Sequence, residues 1–290
     1  PANVVLYIFK DSFENMWFGT SGGGASKFDN ERFMHIRKND YTGNRVFAIT
    51  QVPGGNMLFG TSAGGITTYD GKNFTLLKGI EGFTNSKVRA LYYTKDSVLW
   101  IGTLNDGAYK FDKSGFSQYS IDNGLCSNNI TCFTEDKFGR IWTGSSDYGI
   151  SIISEEKIIK SIGKAEGLSG NTIYFMKEDM KGTLWVGTEN GGISLIKNSK
   201  NIYEDFDISF LNSSNGLNDN TVRSIVTDDS GNLFLSTSSG GINIYKGKEF
   251  SYITKDEGLS SNNIYLLIFD NKSYTFLELI KMIIFVFNLK

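Results

Sequence analysis

Short apolar runs, separated by polar turns, recur along this chain at a nearly constant spacing. The runs are rich in β-branched and aromatic side chains, which is typical of β-strands. Each repeat opens with a β-branched residue, here called the anchor, and the intervals between anchors are 41, 42, 42, 43, 49 and 42 residues. This regularity predicts one structural unit repeated in tandem. The anchors are Val5, Val46, Val88, Ile130, Ile173, Val222 and Ile264.

A second pattern lies twelve residues after each of the first six anchors, where an aromatic residue or a leucine opens a tetrad that ends in Gly-Thr or a close variant. An Asp-x-x-Gly turn usually precedes the tetrad and a Gly-Gly turn usually follows it. A third and a fourth apolar run then lead to a closing Gly-Leu pair. The tetrads begin at Trp17, Leu58, Trp100, Trp142, Trp185 and Phe234.

Four short strands in each unit of about 42 residues predict an all-β fold, a β-propeller built from four-stranded antiparallel blades. On this interpretation the Trp at the start of the tetrad fills the wedge between neighbouring sheets. The glycine two residues later lets an adjacent backbone approach closely.

The number of blades depends on the end of the chain. Six units are complete, and a seventh begins with Asn262, Ile264 and Asp270 at their expected places. It then departs from the repeat, because Glu278 stands where glycine is expected and 282–283 lack the Gly-Gly turn. The pattern favours seven blades with a degenerate, incomplete seventh, and a six-bladed propeller is the alternative. We assign residues 1–272 to the repeats and 273–290 to an apolar tail, either a degenerate last blade or a truncated segment.

Composition excludes several classes of function. Lysine plus arginine (29) almost equal aspartate plus glutamate (31), whereas a nucleic-acid-binding protein normally has a basic stripe. Two cysteines and one histidine make neither a disulfide framework nor a zinc cluster. No set of nucleophile, base and orienting group is visible, so we expect no catalytic residue, metal or cofactor.

The best-preserved repeat runs from residue 178 to residue 192, Glu-Asp-Met-Lys-Gly-Thr-Leu-Trp-Val-Gly-Thr-Glu-Asn-Gly-Gly, and 215–220 carry the closing element Asn-Gly-Leu-Asn-Asp-Asn. These motifs resemble the two-component regulator propeller, over residues 1 to about 272. The resemblance implies the extracytoplasmic sensor part of bacterial histidine kinases or hybrid two-component systems, often concerned with polysaccharide breakdown products. It implies a periplasmic or extracytoplasmic location, and membrane attachment only through segments outside this chain.

Loops at one end of the predicted blades gather where binding sites of such scaffolds normally lie. An asparagine recurs there two residues before the anchor, and its periodicity indicates a structural role in capping the loop. Positions that break the repeat are better candidates for recognition, since aromatic rings, forked donors and carboxylates suit sugar hydroxyls and anions. The candidate ligand-binding residues are Arg89, Asn105, Asp106, Asp147, Tyr148, Tyr174, Glu189, Asn190, Arg223 and Tyr265.

A further periodic set does not qualify as a site. Its aspartates fall in the turn between the first and second strands, at the opposite end of each blade, and turn formation accounts for them. They are Asp11, Asp136, Asp179, Asp228 and Asp270.

Three functions remain open on the sequence alone. The resemblance favours a non-enzymatic sensory module with an oligosaccharide-type ligand, and such a module could form a homodimer. A lyase or glycosidase acting through acids such as Asp106, Asp147 or Glu189 is the second hypothesis, because propellers also host enzymes. A protein-interaction scaffold is the third.

Overall fold

Each of the first six repeats forms an antiparallel sheet whose four strands lie side by side in chain order. The computed structural model describes residues 4–29, 31–36, 45–62, 65–77, 86–197, 199–201, 206–228, 230–270, 275–280 and 283–288. Side chains are described as far as residue 268. The all-β prediction and the four-stranded blade are confirmed. Residues 1–124 with 128–131 form one compact unit, and 125–127 with 132–290 form a second.

The first unit contains blades one to three. Their strands are β1 (Val5–Lys10), β2 (Met16–Thr20), β3 (Ala25–Phe28), β4 (Phe33–Ile36), β5 (Val46–Gln51), β6 (Met57–Thr61), β7 (Ile66–Tyr69), β8 (Phe74–Leu76), β9 (Val88–Tyr93), β10 (Leu99–Thr103), β11 (Ala108–Asp112) and β12 (Gly115–Tyr119). A 3-10 turn, Ile121–Asn123, follows β12.

The second unit contains blades four to six, and β13 at its start includes two residues of the first unit. Its strands are β13 (Ile130–Glu135), β14 (Ile141–Ser145), β15 (Ile150–Ser154), β16 (Lys157–Ile162), β17 (Ile173–Glu178), β18 (Thr183–Thr188), β19 (Ile193–Lys197), β20 (Asp207–Leu211), β21 (Val222–Thr227), β22 (Leu233–Thr237), β23 (Ile242–Tyr245) and β24 (Phe250–Ile253). The 3-10 turns Lys164–Glu166 and Ser213–Asn215 follow β16 and β20.

In blades one, two and five the residue that opens the tetrad packs against the next blade in the same unit. Trp17 is buried and meets Phe59 of blade two at a ring-centroid distance of 5.5 Å. Trp185 of blade five meets Tyr245 of blade six at 5.6 Å. Leu58 packs in one cluster with Val88 and Ile101 of blade three. The predicted filling of the wedge between sheets is therefore confirmed for these blades.

The glycine of the tetrad faces the anchor of the following blade. A Cβ added at Gly60 would lie 2.6 Å from Cγ1 of Val88, and one at Gly144 would lie 2.8 Å from Cγ2 of Ile173. Because such distances are shorter than any normal carbon contact, only glycine allows the two strands to approach this closely.

Aspartates of the turn between the first and second strands bind more groups than turn formation requires. Asp136 Oδ1 accepts the backbone N–H groups of Phe138 and Arg140, and its Oδ2 accepts the indole N–H of Trp142 at 2.8 Å. Equivalent indole bonds join Trp17 to Asp11 at 2.7 Å and Trp185 to Asp179 at 3.0 Å. The aspartate thus fixes both its turn and the ring that fills the wedge. Asp270 belongs to the same predicted set, but its side chain lies outside the described ones.

The periodic asparagines cap loops, as predicted. The side-chain oxygens of Asn128, Asn171, Asn220 and Asn262 each accept the backbone N–H seven residues earlier, at 2.7 to 2.9 Å. Their backbone carbonyls accept the N–H groups of Gly107, Gly149, Gly192 and Gly241. Each asparagine therefore ties the end of one blade to that blade's Gly-Gly or equivalent turn. Asn3 and Asn44 lie outside the described residues.

The favoured count of seven blades is wrong. The described residues contain six four-stranded sheets and, beyond them, one three-stranded sheet made of β25 (Phe269–Asp270), β26 (Thr275–Ile280) and β27 (Ile283–Asn288). Residues 262–268 form no strand, although Ile264 and Leu267 pack in the cluster of blade six.

The sequence explains why the seventh repeat stops. Glu278 replaces the glycine that would admit a neighbouring backbone, and no Gly-Gly pair follows it. Ile280 pairs directly with Ile283 instead, so β26 and β27 pair along their whole lengths. The closing loop of blade six is therefore retained, but no four-stranded blade is built on it.

Candidate functional site

A β-bulge lies at the same place in every inner strand whose register is described. In β9, Val88 pairs with Thr103 and Ala90 with Gly102, so Arg89 has no partner on β10. A bulge of this kind bends a strand and re-aims a side chain, and bulges often lie beside functional sites. The residues that fall in the bulge are Leu6, Phe47, Arg89, Tyr174 and Arg223. Three of these five are candidates predicted from the sequence.

In the first unit, the structure places Arg89, Asn105 and Asp106 on blade three. Asn105 is exposed, and Asp106 accepts the hydroxyl of Ser86 at 2.8 Å. The backbone N–H of Asp106 donates to Thr103 Oγ1 at 2.9 Å. These bonds fix the loop between the second and third strands against the start of the inner strand that carries Arg89.

In the second unit, Tyr174, Glu189 and Asn190 lie together on blade five. The Tyr174 hydroxyl donates to Oε1 of Glu189 at 3.0 Å. Asn190 has a φ of 59°, a left-handed conformation that asparagine tolerates better than most residues. Its backbone N–H donates to Thr221 Oγ1, and its Oδ1 accepts the Thr221 hydroxyl, both at 3.2 Å. The turn is thereby tied to the start of blade six.

Arg223 and Tyr265 form the next contact in the same unit. The guanidinium carbon of Arg223 lies 4.0 Å from the centroid of the Tyr265 ring, which is the geometry of a cation–π interaction. Arg223 also donates from Nη1 to Oδ1 of Asn263 at 2.6 Å. Tyr265 is nevertheless 49% exposed, so about half of its surface remains accessible to a ligand.

Asp147 and Tyr148 lie exposed on blade four and take no part in the contacts described above. Tyr148 is 63% exposed and lines a cavity of about 230 Å³ at the end of β16. Lys164, Glu166 and Asn171 also line it. This cavity is smaller than a typical pocket for a small molecule.

Sequence analysis missed Asp219, which the structure places beside the turn of blade six. Burial raises the pKa of this carboxyl, but hydrogen bonds from Ser239, Ser238 and the backbone of Thr221 outweigh it and hold the pKa below its usual range. Asp219 and the predicted candidate Asp106 both accept a serine hydroxyl across the gap between two loops. The signal in the sequence was an acid next to the periodic asparagine.

Within each unit, groups of this kind thus lie at the end of the blades where the bulges are: guanidinium and carboxylate in the first, and hydroxyl, carboxylate, guanidinium and aromatic groups in the second. They suit reversible recognition of a polar ligand. Within the described part of the chain, no three His, Cys, Asp or Glu side chains are gathered as a metal site. Nor does that part contain a helix with the length and apolar character needed to cross a bilayer.

Three segments match the family described as two component regulator propeller, residues 82–105, 124–147 and 167–190. Each runs from the closing loop before an inner strand into the loop that carries candidate residues. No curated protein matches the sequence.

Solved structures of the same fold exist. The extracellular domain of a protein assigned as a hybrid two component system from B. thetaiotaomicron superposes with a TM-score of 0.83 at 26% identity, covering 95% of this chain and 38% of that one. A second such domain from B. thetaiotaomicron gives 0.76 at 21% identity, covering 96% and 37%. The chain therefore spans less than two fifths of the length of these relatives.

Virginiamycin B lyase from Staphylococcus aureus also superposes, with a TM-score of 0.72 at 14% identity, covering 96% of this chain and 93% of the lyase. At this identity the likeness shows a common fold and carries no argument about catalysis. The resemblance to two-component regulator propellers is confirmed by the family match and by the similarity to the extracellular domain of a hybrid two component system.

Proposed function

We propose that this chain, which carries two component regulator propeller repeats, is the non-enzymatic ligand-binding part of an extracytoplasmic sensor and binds an oligosaccharide. Within each unit, the end of the blades that carries the bulges is the proposed binding surface. A homodimer formed through this sensory region would couple binding to signalling, and the periplasm is the location we propose.

One observation carries the proposal. The bulge is a constant feature of the blade, yet the residue it presents changes from Leu6 and Phe47 to Arg89, Tyr174 and Arg223. A purely structural position in a repeat would keep one kind of side chain, as the anchors do with the β-branched Val and Ile. Variation at a conserved backbone feature instead supports recognition of a ligand that lacks the symmetry of the repeat.

The contacts around these residues also support binding. The Tyr174–Glu189 pair and the Arg223–Tyr265 pair hold their side chains in defined positions, which reduces the entropy lost when a ligand binds. Aromatic faces stack on the apolar faces of sugar rings, and carboxylate and guanidinium groups bind sugar hydroxyls.

A glycan array screened with the full chain tests this proposal. We expect saturable binding of at least one oligosaccharide, with an affinity that falls at least about tenfold in Arg89→Ala or Tyr148→Ala. Met180→Ala is the matched control, because Met180 is 96% exposed in a turn at the opposite end of blade five. The unfolding midpoint should change little in all three variants. A large loss of stability with unchanged affinity would count against the site.

The same experiment separates a sensor from an enzyme. The bound oligosaccharide should be recovered intact after long incubation with the protein. Cleavage that disappears on substitution of Asp106, Asp147 or Glu189 would instead support a lyase or glycosidase.

A further inference from the structure

Three cationic side chains lie at the bulge-bearing end of blades two and three in the first unit. Arg45 and Lys87 immediately precede β5 and β9, and Arg89 is the bulge residue of β9. Arg45 and Lys87 are exposed, and Arg89 is half-buried. We call Arg45, Lys87 and Arg89 the basic cluster.

Backbone contacts bring the starts of these two inner strands together. Gly60 of β6 pairs with Ala48 of β5, and a Cβ at Gly60 would lie 2.6 Å from Cγ1 of Val88 in β9. The carbonyls of Arg45 and Lys87 accept the N–H groups of Ser62 and Leu104 in equivalent bonds of 3.0 Å. Arg45 and Lys87 thus occupy equivalent positions just before the inner strands of neighbouring blades.

None of the three cationic groups forms an ion pair with a residue in the part of the chain that the structure describes. The described acids of this end of blade three are Asp106 and Asp122. Asp106 lies beside the basic cluster but accepts the hydroxyl of Ser86. Asp122 follows β12, three strand spacings or about 14 Å from β9, which exceeds the Debye length of about 8 Å at physiological ionic strength.

Within the described residues only one acid, Asp106, lies beside these three cations, so this end of blades two and three carries a local excess of positive charge that favours an anionic ligand. Guanidinium groups bind carboxylates in a bidentate geometry, and uncompensated cations raise the local concentration of anionic ligands. A neutral sugar would leave this positive charge unbalanced.

We infer that the ligand of this surface is an acidic oligosaccharide whose carboxylates are bound by Arg45, Lys87 and Arg89. This inference rests on the proposed function for the oligosaccharide and names its chemical class. Arg45 and Lys87 are residues that sequence analysis did not select.

Calorimetric titration of the full chain with tetragalacturonate, and with maltotetraose as a neutral probe of the same length, tests the inference. Tetragalacturonate should bind, and its affinity should fall at least about tenfold as sodium chloride rises from about 50 to about 300 mM. Maltotetraose should bind at least about tenfold more weakly at low salt.

Two variants of equal charge locate the binding. The variant Arg45→Gln, Lys87→Gln and Arg89→Gln should lose at least about tenfold in affinity for tetragalacturonate. The control variant Lys72→Gln, Lys95→Gln and Lys113→Gln removes three exposed lysines of the same unit from turns outside the cluster and should bind like the unsubstituted chain. Thermal melting shows whether each variant is folded.

The outcomes distinguish the inference from the proposed function. Maltotetraose binding as tightly as tetragalacturonate, with no effect of salt, would overturn the acidic class and leave an oligosaccharide sensor standing. Equal losses of affinity for tetragalacturonate in both triple variants would overturn the inference, because binding would then depend on overall charge. A short DNA oligonucleotide that binds more tightly than tetragalacturonate would also overturn it, because the surface would then bind polyanions in general. Failure of every oligosaccharide to bind would reject both proposals.

Discussion

The aspartate in the turn between the first and second strands binds different groups in different blades. In blade four, Asp136 is buried, accepts two backbone N–H groups and the indole N–H of Trp142, and pairs with Arg140 Nε at 2.7 Å. In blade six the equivalent Asp228 binds the backbone of Ser230 and both the backbone and side-chain nitrogens of Asn232. The second strand of that blade carries Phe234, which has no donor. We therefore expect the two aspartates to contribute different amounts to the free energy of unfolding, although they occupy the same position in the repeat.

Replacing Asp136 should be far more damaging than replacing Asp228. Asp136→Ala removes the carboxylate that pairs with the buried guanidinium of Arg140, and we expect a loss of about 3 to 5 kcal/mol in the free energy of unfolding. Asp228→Ala removes hydrogen bonds only and should cost about 1 to 2 kcal/mol. Urea denaturation of both variants checks the difference, and equal losses would show that the ion pair and the indole bond contribute nothing.

The indole bond also predicts a dependence on pH. Burial raises the pKa of Asp11, but hydrogen bonds from Trp17 and from Asn15 and Phe13 outweigh it and hold the pKa below its usual range. A carboxyl whose pKa is lower in the folded state stabilises the protein above its unfolded pKa of about 3.9 and loses this contribution as the pH falls through the folded value.

Trp17→Phe should therefore destabilise the protein more at pH 7 than at about pH 3. The loss of packing is the same at both pH values, so the difference between them isolates the hydrogen bond. Fluorescence-detected urea denaturation at the two pH values measures it. An equal loss at both would show that the indole does not lower the pKa of Asp11.

At the scale of the element, the inner strand combines two requirements. Its anchor must approach the glycine of the preceding blade, and the next residue falls in a β-bulge. The sequence predicts the first requirement, because glycine and a β-branched residue recur at fixed positions. The sequence does not predict the bulge, because a bulge depends on how the strand pairs with its neighbour. In a segment of six residues it does not visibly change the alternation of apolar and polar residues.

The close approach of Gly60 and Val88 can be tested by a double-mutant cycle. Gly60→Ala places a methyl group against Val88 and should cost about 1 to 3 kcal/mol. In a Val88→Ala background the same substitution should cost less, by at least about 1 kcal/mol. Additive losses in urea denaturation would mean that the two residues do not meet.

At the scale of the whole chain, the repeat identified six blades correctly, and only the seventh was wrong. The early residues of that repeat are present because the closing loop of blade six needs them. Asn262 caps the loop, and Ile264 and Leu267 complete the cluster of blade six. The first residues of the seventh repeat therefore match the pattern because they complete blade six, and the match does not indicate a further blade. The candidate residues could be selected as departures from the repeat, but their pairing with Ser86, Thr221 and Asn263 depends on contacts between loops.

Two truncations test this explanation of the seventh repeat. A chain ending after Ile268 keeps Ile264 and Leu267 and should retain most of the free energy of unfolding. A chain ending after Ser261 loses both side chains and the Asn262 cap, and should be less stable than the first by at least about 3 kcal/mol. Equal stability of the two truncated chains would show that residues 262–268 do not complete blade six.

The claim that the bulge-bearing end binds the ligand is tested most directly by hydrogen–deuterium exchange of the full chain with and without a bound oligosaccharide. We predict slower exchange at the starts of β9, β17 and β21 and in the loops at 104–107 and 189–192. Exchange in the aspartate turns at the opposite end of the blades should not change. Slower exchange confined to those turns would contradict the account.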